Sequence, residues 1–263
     1  MPAVPREHAA CLLLPEIHDD GEAKPSPARV CVIDLGTNSF HAVIFDAYPN
    51  GTFRVVDRMK ERVRLGKRGL LAGVLPDDAM ERGMRALRRI DLLARGWGVQ
   101  EYLAFATSAI REAKNGGAFI ERVREEIGLR IRAISGEHEA RLIYEGVCRA
   151  VDMPVPSLIV EIGGGSVEFI VKTREGVPFA TSLKVGAARM TEQFVTTDPL
   201  SAEEERALRA HYRDELTPII EAARQHGVEM TVGSSGTAKS LARVYLDRCG
   251  DPTRSVYQQD LDA

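Results

Sequence analysis

The stretch IVEIGGGSVEFIV, residues 159–171, places three glycines and a serine inside an otherwise apolar run. A carboxylate stands on each side of the glycines, at Glu161 and Glu168. A glycine run considered alone favours a hairpin turn. Backbone without side chains also lets an anion approach the peptide N–H groups closely, and the flanking acids then need an explanation. The rest of the chain decides between these two interpretations.

The composition is that of an ordinary globular protein. The chain has 263 residues, 44% of them hydrophobic and 28% charged, enough for one large domain or two modest ones. Its net charge of −3 provides no basic field for nucleic acid or anionic lipid, so we expect neither as a partner. The four cysteines form no CxxC pair, which favours free thiols and a cytoplasmic protein, and the scattered histidines argue against zinc.

The order of predicted elements divides the chain into two α/β halves. Residues 29–152 predict lobe I, which opens with three strands and continues with alternating helices and strands. Residues 153–263 repeat that opening and predict lobe II, with MPVPS at 153–157 as the hinge. The proline-rich residues 1–28 predict a flexible tail, and no apolar stretch approaches the roughly 20 residues of a membrane span.

The two halves also share a motif, acid-x-Gly-x-x-Ser. The acid, glycine and serine of IDLGTNS, at 34, 36 and 39, recur at 161, 163 and 166 with a constant spacing of 127 residues. Each motif ends one apolar strand and leads into another. We therefore expect duplicated lobes that face each other across a cleft.

Three loops rich in glycine and hydroxyl residues are candidates for phosphate binding. Backbone N–H groups in such loops bind phosphate oxygens, and the third loop, GSSGT, adds the N-terminus of a predicted helix. The candidate residues are Gly36, Thr37, Asn38 and Ser39; Gly163, Gly164, Gly165 and Ser166; and Gly233, Ser235, Gly236 and Thr237.

The acids beside these loops predict a metal site. Carboxylates next to a phosphate repel it unless a cation lies between them, and hard oxygen ligands suit Mg²⁺ or another divalent cation. Asp34, Glu161 and Glu168 are the candidate ligands. For Glu168 an alternative stays open, that of an outward-facing strand residue, because Val167 and Phe169 must point to the other side of the sheet.

Glu139 is the candidate base. It shares a helical stripe with Leu142 and Ile143, so it either faces the cleft, where it can polarise a water molecule, or simply occupies the first turn.

Arg111 follows a predicted strand and is a candidate phosphate clamp, with a helix-start salt bridge to Glu112 or another acid as the alternative. The basic run at 60–68 either guides a polyanion or is solvated surface.

Five ordered motifs resemble the exopolyphosphatase/guanosine pentaphosphatase family, from about residue 30 to the C-terminus. They are IDLGTNSFHAVI, ATSAIREAKNG, ISGEHEARLIYEGV, EIGGGSVEF and GSSGT. The resemblance implies the actin-like ATPase superfamily, with two ribonuclease-H-like lobes around a phosphate-binding cleft. It also implies that Glu139 is the catalytic base, Glu168 a metal-associated glutamate and Arg111 a channel arginine.

The implied activity is Mg²⁺-dependent hydrolysis that releases terminal orthophosphate from inorganic polyphosphate or guanosine pentaphosphate by in-line attack of water. A non-catalytic polyphosphate or alarmone sensor is the alternative. A sugar or acetate-type kinase needs an acceptor base in another motif, and the sequence offers none.

Two features depart from the family pattern. Glu161 stands where the family usually has aspartate, and its extra methylene shifts the carboxylate by ~1.5 Å, enough to disturb octahedral Mg²⁺ geometry. The chain also ends at QQDLDA, where family members continue, so we expect a short-type protein with an incomplete second lobe. A homodimer is compatible with the resemblance, because short members commonly pair.

Overall fold

The computed structural model describes residues 27–248, and its first β-sheet has the strand order β3-β2-β1-β4-β5. Strands β1, β2 and β3 form an antiparallel meander, while β4 and β5 run parallel to β1. The strands are β1 Ala28–Leu35, β2 Phe40–Ala47, β3 Phe53–Glu61, β4 Glu101–Ala106 and β5 Ile131–Ala133. The helices around this sheet are α1 Asp77–Gly96, α2 Ser108–Glu112 and α3 Gly116–Ile127.

The second sheet repeats this topology with the strand order β8-β7-β6-β9. Its first three strands are again an antiparallel meander, and β9 runs parallel to β6. The strands are β6 Ser157–Ile162, β7 Val167–Lys172, β8 Phe179–Leu183 and β9 Met230–Ser234. The helices are α4 Gly136–Ala150, α5 Ala187–Phe194, α6 Ala202–Gln225 and α7 Ser235–Arg248. The duplicated meander predicted from the sequence is confirmed.

Helix α4 follows the first sheet in the chain but packs against β7 and β8 of the second. Ala140 and Val147 are buried in one cluster with Ile159 and Ile170, because the apolar stripe of α4 needs an apolar partner. Leu142, expected on the inward face, is exposed and lines the cleft instead. Helix α4 therefore carries the middle of the chain onto the second sheet.

Strand β7 is buried along almost its whole length. Val167 and Phe169 pack into a cluster with Met190 and Ile219 from α5 and α6 on one side. The opposite side, which holds Glu168, is covered by α4, and the Glu168 side chain is fully buried. The alternative of an outward-facing Glu168 is wrong, because both faces of this strand are covered.

Two local predictions differ from the structure. GSSGT is not a loop: β9 runs to Ser234 and α7 begins at Ser235, so one residue with a φ of 70° makes the whole connection. The composition of this segment is typical of loops, but a single left-handed residue is enough to turn a strand into a helix. The short helices α2 and α5 were not predicted either, since neither is long enough to show a helical period.

Parts of the predicted domain organisation lie outside the described residues. The expected tail at 1–28 overlaps the structure only at its end, where Ala28 is already the first residue of β1. The predictions that concern residues 249–263 also lie outside the described residues. The division into lobes at 153–157 stays a prediction; residues 151–156 form no helix or strand. No helix within residues 27–248 is both long and apolar enough to cross a bilayer.

Candidate active site

The two acid-x-Gly-x-x-Ser segments form the same turn, one in each sheet. The Gly36 amide donates to the Ser39 carbonyl at 3.2 Å, and the Gly163 amide donates to the Ser166 carbonyl at 3.1 Å. We call the segment 36–39 loop 1 and the segment 163–166 loop 2. Each lies between the first and second strands of its meander, so the duplicated sequence motif corresponds to a duplicated backbone structure.

Neighbouring segments bind the carbonyl oxygens of both loops. In loop 2, the amides of Ala187 and Ala188 at the start of α5 donate to the carbonyls of Gly163 and Gly164, at 3.0 and 2.8 Å. These contacts satisfy N–H groups that a helix N-terminus otherwise leaves unpaired. The carbonyls that would repel an anion are thus held by α5.

Loop 1 is held in the same way by the basic run at 60–68. The amides of Arg64 and Gly66 donate to the carbonyls of Asn38 and Thr37, at 2.8 and 3.1 Å. The backbone of this run therefore supports loop 1, whatever its side-chain charges contribute.

Loops 1 and 2 lie in direct contact across the cleft. A Cβ atom added to Gly164 would lie 2.8 Å from Nδ2 of Asn38, and one on Gly165 would lie 2.6 Å from Oγ1 of Thr37. The same Gly165 Cβ would lie only 2.4 Å from Oγ of Ser108. Contacts this short mean that a side chain at either position would displace Asn38, Thr37 or Ser108, so glycine is favoured where the two sheets meet.

A cavity of about 430 Å³ opens beside these loops. Its lining includes Asp34, Thr37, Ser108, Glu139, Glu161 and the four residues of loop 2. Another cavity, of about 350 Å³, lies beside α6 and is lined mainly by aliphatic side chains with no carboxylate. Of these two cavities, the one at the loops is therefore the one with polar and acidic side chains in its lining.

Three carboxylates meet in this region. Glu161 and Glu168 are paired across β6 and β7, and α4 brings Glu139 to them, so that one oxygen of each lies within 4.8 Å of the others. Oε1 of Glu168 accepts a hydrogen bond from Ser182 at 2.7 Å. Its buried Oε2 atom has no hydrogen-bond partner among residues 27–248.

Proximity and burial raise the pKa values of the acids. Burial raises the pKa of Glu139 and of Glu168, and the charge of Glu168 raises that of Glu139 further. Burial is also the main cause of the raised pKa of Glu161. Asp34 lines the cavity and is exposed there, but protein surrounds its carboxylate, and this desolvation, with the charges of Glu139 and Glu168, raises its pKa to about 7.

The acid cluster fits a divalent cation. Several buried carboxylates cannot all ionise side by side without a compensating charge. The unpartnered Oε2 of Glu168 is an oxygen ligand already desolvated, and carboxylate oxygens are the ligands that Mg²⁺ prefers. Of the three predicted ligands, Glu161 and Glu168 belong to the cluster, together with the candidate base Glu139, whereas Asp34 lies near the cluster but outside it.

Arg111 contacts the candidate base. Its Nη1 donates to Oε2 of Glu139 at 2.7 Å and to the carbonyl of Ile134 at 3.0 Å. Arg111 thus forms the salt bridge that the alternative expected, but with Glu139, while 3.9 Å separates the charged atoms of Arg111 and Glu112. The structure therefore brings together Arg111 and Glu139, which are 28 residues apart in the sequence.

The third predicted phosphate segment lies away from the cavity lining. None of Gly233, Ser235, Gly236 and Thr237 lines the cavity. Ser235 instead donates its hydroxyl to the carbonyl of Ile162 at 2.8 Å, at the end of β6. Its position supports the strand that leads into loop 2, and a phosphate contact stays a prediction.

Two polar residues near the site, Ser182 and Arg189, were not singled out from the sequence, and Glu112 was considered only as a partner of Arg111. Ser182 is paired with Glu168 across β7 and β8, so the strand register is the signal that reveals it. Glu112 accepts from Ser108 at 2.8 Å and from Arg189 at 2.7 Å. The contacts of Glu112 with Arg189 join distant segments, which no local pattern indicates.

The repeated meanders with their paired glycine loops define a protein of the actin-like ATPase fold, built from two ribonuclease-H-like lobes. A model of the Ppx/GppA phosphatase family matches residues 43–248, and the chain belongs to this family.

Solved structures agree with this assignment. An exopolyphosphatase from Cytophaga hutchinsonii is 31% identical, with a TM-score of 0.80 over 86% of this chain and 72% of that one. The Ppx/GppA family member of Aquifex aeolicus is 29% identical, with a TM-score of 0.65 over 89% of this chain and 72% of that one. A PilM–PilN type IV pilus biogenesis complex shares the fold alone, at 12% identity and a TM-score of 0.51 over 86% and 87% of the two chains.

The contact between the loops predicts that Gly165→Ala destabilises the protein. Its methyl group would overlap Ser108 and Thr37, and overpacking of this kind costs about 1–3 kcal/mol of unfolding free energy. Gly117→Ala is the control, because nothing lies within 4 Å of its added Cβ in α3. Denaturant unfolding measures both variants. Equal stability of the two would show that loops 1 and 2 are not in contact in solution.

The raised pKa values predict an unusual pH dependence for the cation-free protein. An acid whose folded-state pKa is raised stabilises the fold below its unfolded pKa, and this contribution is lost as pH rises through the folded value, which for Asp34 is about 7. We therefore expect the melting temperature to fall between about pH 5 and about pH 8, and Mg²⁺ to raise it more at the higher pH.

Calorimetry with and without Mg²⁺ measures this effect. Glu168→Gln should flatten the pH dependence and reduce the Mg²⁺ response, because it removes one of the interacting charges. A Mg²⁺ response that is the same at both pH values would mean that the cation binds outside the acid cluster.

Proposed function

We propose that this protein is a divalent-metal-dependent phosphohydrolase that releases terminal orthophosphate from inorganic polyphosphate, with guanosine pentaphosphate as the second candidate substrate. Family membership and the exopolyphosphatase relative support phosphatase activity on polyphosphate. The observation that carries the detailed proposal is the position of Glu139, which belongs to the acid cluster and also lines the cavity at loops 1 and 2.

The loops supply the binding part of the proposed mechanism. Backbone N–H groups and the hydroxyls of Thr37 and Ser166 are the available donors for phosphoryl oxygens at the cavity, whereas the Ser108 hydroxyl already donates to Glu112. In this scheme the described residues recognise only the phosphate groups of the substrate and not a nucleobase. Both candidate substrates end in a phosphoanhydride, so the same site serves either.

Glu139 acts as the general base in this proposal. Burial and the charge of Glu168 raise its pKa from an ordinary carboxylate value towards neutrality, where a base is most effective. Arg111 fixes the orientation of the carboxylate through the 2.7 Å hydrogen bond. Its guanidinium charge also stabilises the negative charge that develops on the phosphoryl group. Glu139 accepts the proton of the attacking water.

Glu161 and Glu168 would hold the cation, with Asp34 facing them from the first sheet. When bound, the cation supplies positive charge that offsets the negative charge of the phosphate oxygens. Ser182 keeps Oε1 of Glu168 occupied, so that Oε2 remains the available ligand atom.

A second candidate function is a non-catalytic polyphosphate sensor. The ion pair between Glu139 and Arg111 favours it, because a hydrogen-bonded carboxylate beside a guanidinium is a weaker base. The difference between the two functions is whether the bound anion is hydrolysed.

Orthophosphate release with Mg²⁺, from polyphosphate and separately from guanosine pentaphosphate, tests the proposal. Glu139→Gln should lower kcat by roughly 10²–10⁴-fold, as expected for loss of a general base. Glu137→Gln is the matched control, an exposed acid in the same first turn of α4 that should retain activity.

Each outcome has a distinct meaning. Activity that survives in Glu139→Gln would place the base elsewhere. A parent protein that binds polyphosphate without releasing orthophosphate would establish the sensor. The substrate that supports the larger kcat/KM identifies the preferred reaction.

A further inference from the structure

Arg189 in α5 is a buried arginine, 7% exposed, whose guanidinium contacts three separate segments. Nε donates to the carbonyl of Gly165 in loop 2 at 2.9 Å. Nη1 donates to the carbonyl of Leu70 at 3.2 Å, and Nη2 donates to Oε2 of Glu112 at 2.7 Å. One side chain thus joins loop 2 to the turn at Leu70 and to α2, two segments that pack on the side of the first sheet.

Glu112 is the partner on the other side, at the C-terminal end of α2. Its Oε1 accepts from the hydroxyl of Ser108 at 2.8 Å, while Oε2 accepts from Arg189. Ser108 lines the cavity and lies against Gly165. Glu112 therefore links the buried arginine to a hydroxyl that faces the cavity.

A neighbouring contact shows that α5 is the element that crosses between the sheets. The carboxylate of Glu192 accepts from the backbone amides of Arg68 and Leu71, at 3.0 and 3.2 Å. These amides flank the Leu70 carbonyl that Arg189 contacts. Helix α5 is thus anchored to the first sheet's 68–71 segment at two points one helical turn apart.

The chemistry of the contact favours a positioning role. A buried guanidinium needs every donor satisfied, and its planar fork fixes the directions of the three acceptors together. A lysine offers a single compact charge and cannot reproduce that geometry. Displacement of Arg189 would therefore move loop 2 and Ser108 relative to loop 1.

We propose that Arg189 and Glu112 are positioning residues whose ion pair holds loop 2 and Ser108 in register with loop 1. The inference rests on the proposed function, because it assigns the aligned loops to the binding of one phosphoryl group. Neither residue touches the substrate; both act through Gly165 and Ser108.

Kinetics of polyphosphate hydrolysis tests the pair. Arg189→Gln and Glu112→Gln should each lower kcat by about 10²-fold, the effect expected of a misplacement of about 1 Å. The double variant should lose little more than either single one, because the residues act through the same contact. Arg189→Lys should recover only part of the loss. Losses that multiply in the double variant would show two separate roles and overturn the ion-pair proposal.

Arg29→Gln provides a matched structural control. Arg29 likewise donates to a carboxylate that is 2% exposed, Asp46, and to a backbone carbonyl, that of Trp97, but within the first sheet and away from the cleft. It should lower the melting temperature and leave kcat within about twofold, since stability and positioning are separate effects. If Arg189→Gln also lowers only the melting temperature, the role is structural and the proposal fails.

Hydrogen exchange gives a readout that does not depend on activity. The amides of loop 2, residues 163–166, should exchange faster in Arg189→Gln, Arg189→Lys and Glu112→Gln than in the parent or Arg29→Gln. Unchanged exchange in all three variants would overturn the positioning role even in an active enzyme. An inactive parent with the predicted exchange pattern would instead disprove the proposed function and leave the role of the ion pair in aligning the loops intact.

Discussion

The mutual repulsion of acids gathered at the junction of two sheets is the constraint on which the site depends. Glu161 and Glu168 arrive as a cross-strand pair, and Glu139 arrives on a helix packed over the same strands. Like charges directly opposite each other on a sheet are destabilising. Such an arrangement persists only if a proton or a cation offsets the repulsion between the carboxylates. This part of the fold therefore favours the binding of positive charge.

The glycine loops add a constraint of the opposite kind, because in the proposed function they accept negative charge. Their carbonyl oxygens are engaged by α5 in one case and by the 60–68 run in the other. In the function proposed here, the acids and the loops together form a site for a cation and a polyanion side by side. Family membership agrees with this description, although the chemistry follows from the geometry and not from the family.

The sequence was informative where local patterns set the structure. The periodic runs predicted both meanders, and the repeated motif predicted two equivalent turns between strands. Glu139 was open between cleft and surface on periodicity alone, and the structure places it at the cleft because α4 packs on the second sheet.

Long-range contacts could not be predicted in the same way. Arg189 contacts Glu112, 77 residues away in the sequence. The hydrophobic pattern of the residues around Arg189 does not distinguish a buried arginine from an exposed one. The prediction that GSSGT is a loop was wrong for a related reason, since residue types typical of loops do not reveal that one left-handed residue joins a strand directly to a helix.

The longer side chain at Glu161 affects which carboxylates the two sheets contribute to the proposed cation site. Its counterpart by the repeated motif is Asp34, yet the cluster that the structure forms contains Glu161 with Glu168 and Glu139 and not Asp34. A glutamate carboxylate extends farther from its strand and can reach its cross-strand neighbour, whereas the aspartate stays close to the backbone of loop 1. The disturbed Mg²⁺ geometry expected from the extra methylene stays a prediction. If the proposed cation site is drawn towards the second sheet in this way, the alignment of that sheet with loop 1 becomes more important, because Asp34 would then act across the cleft.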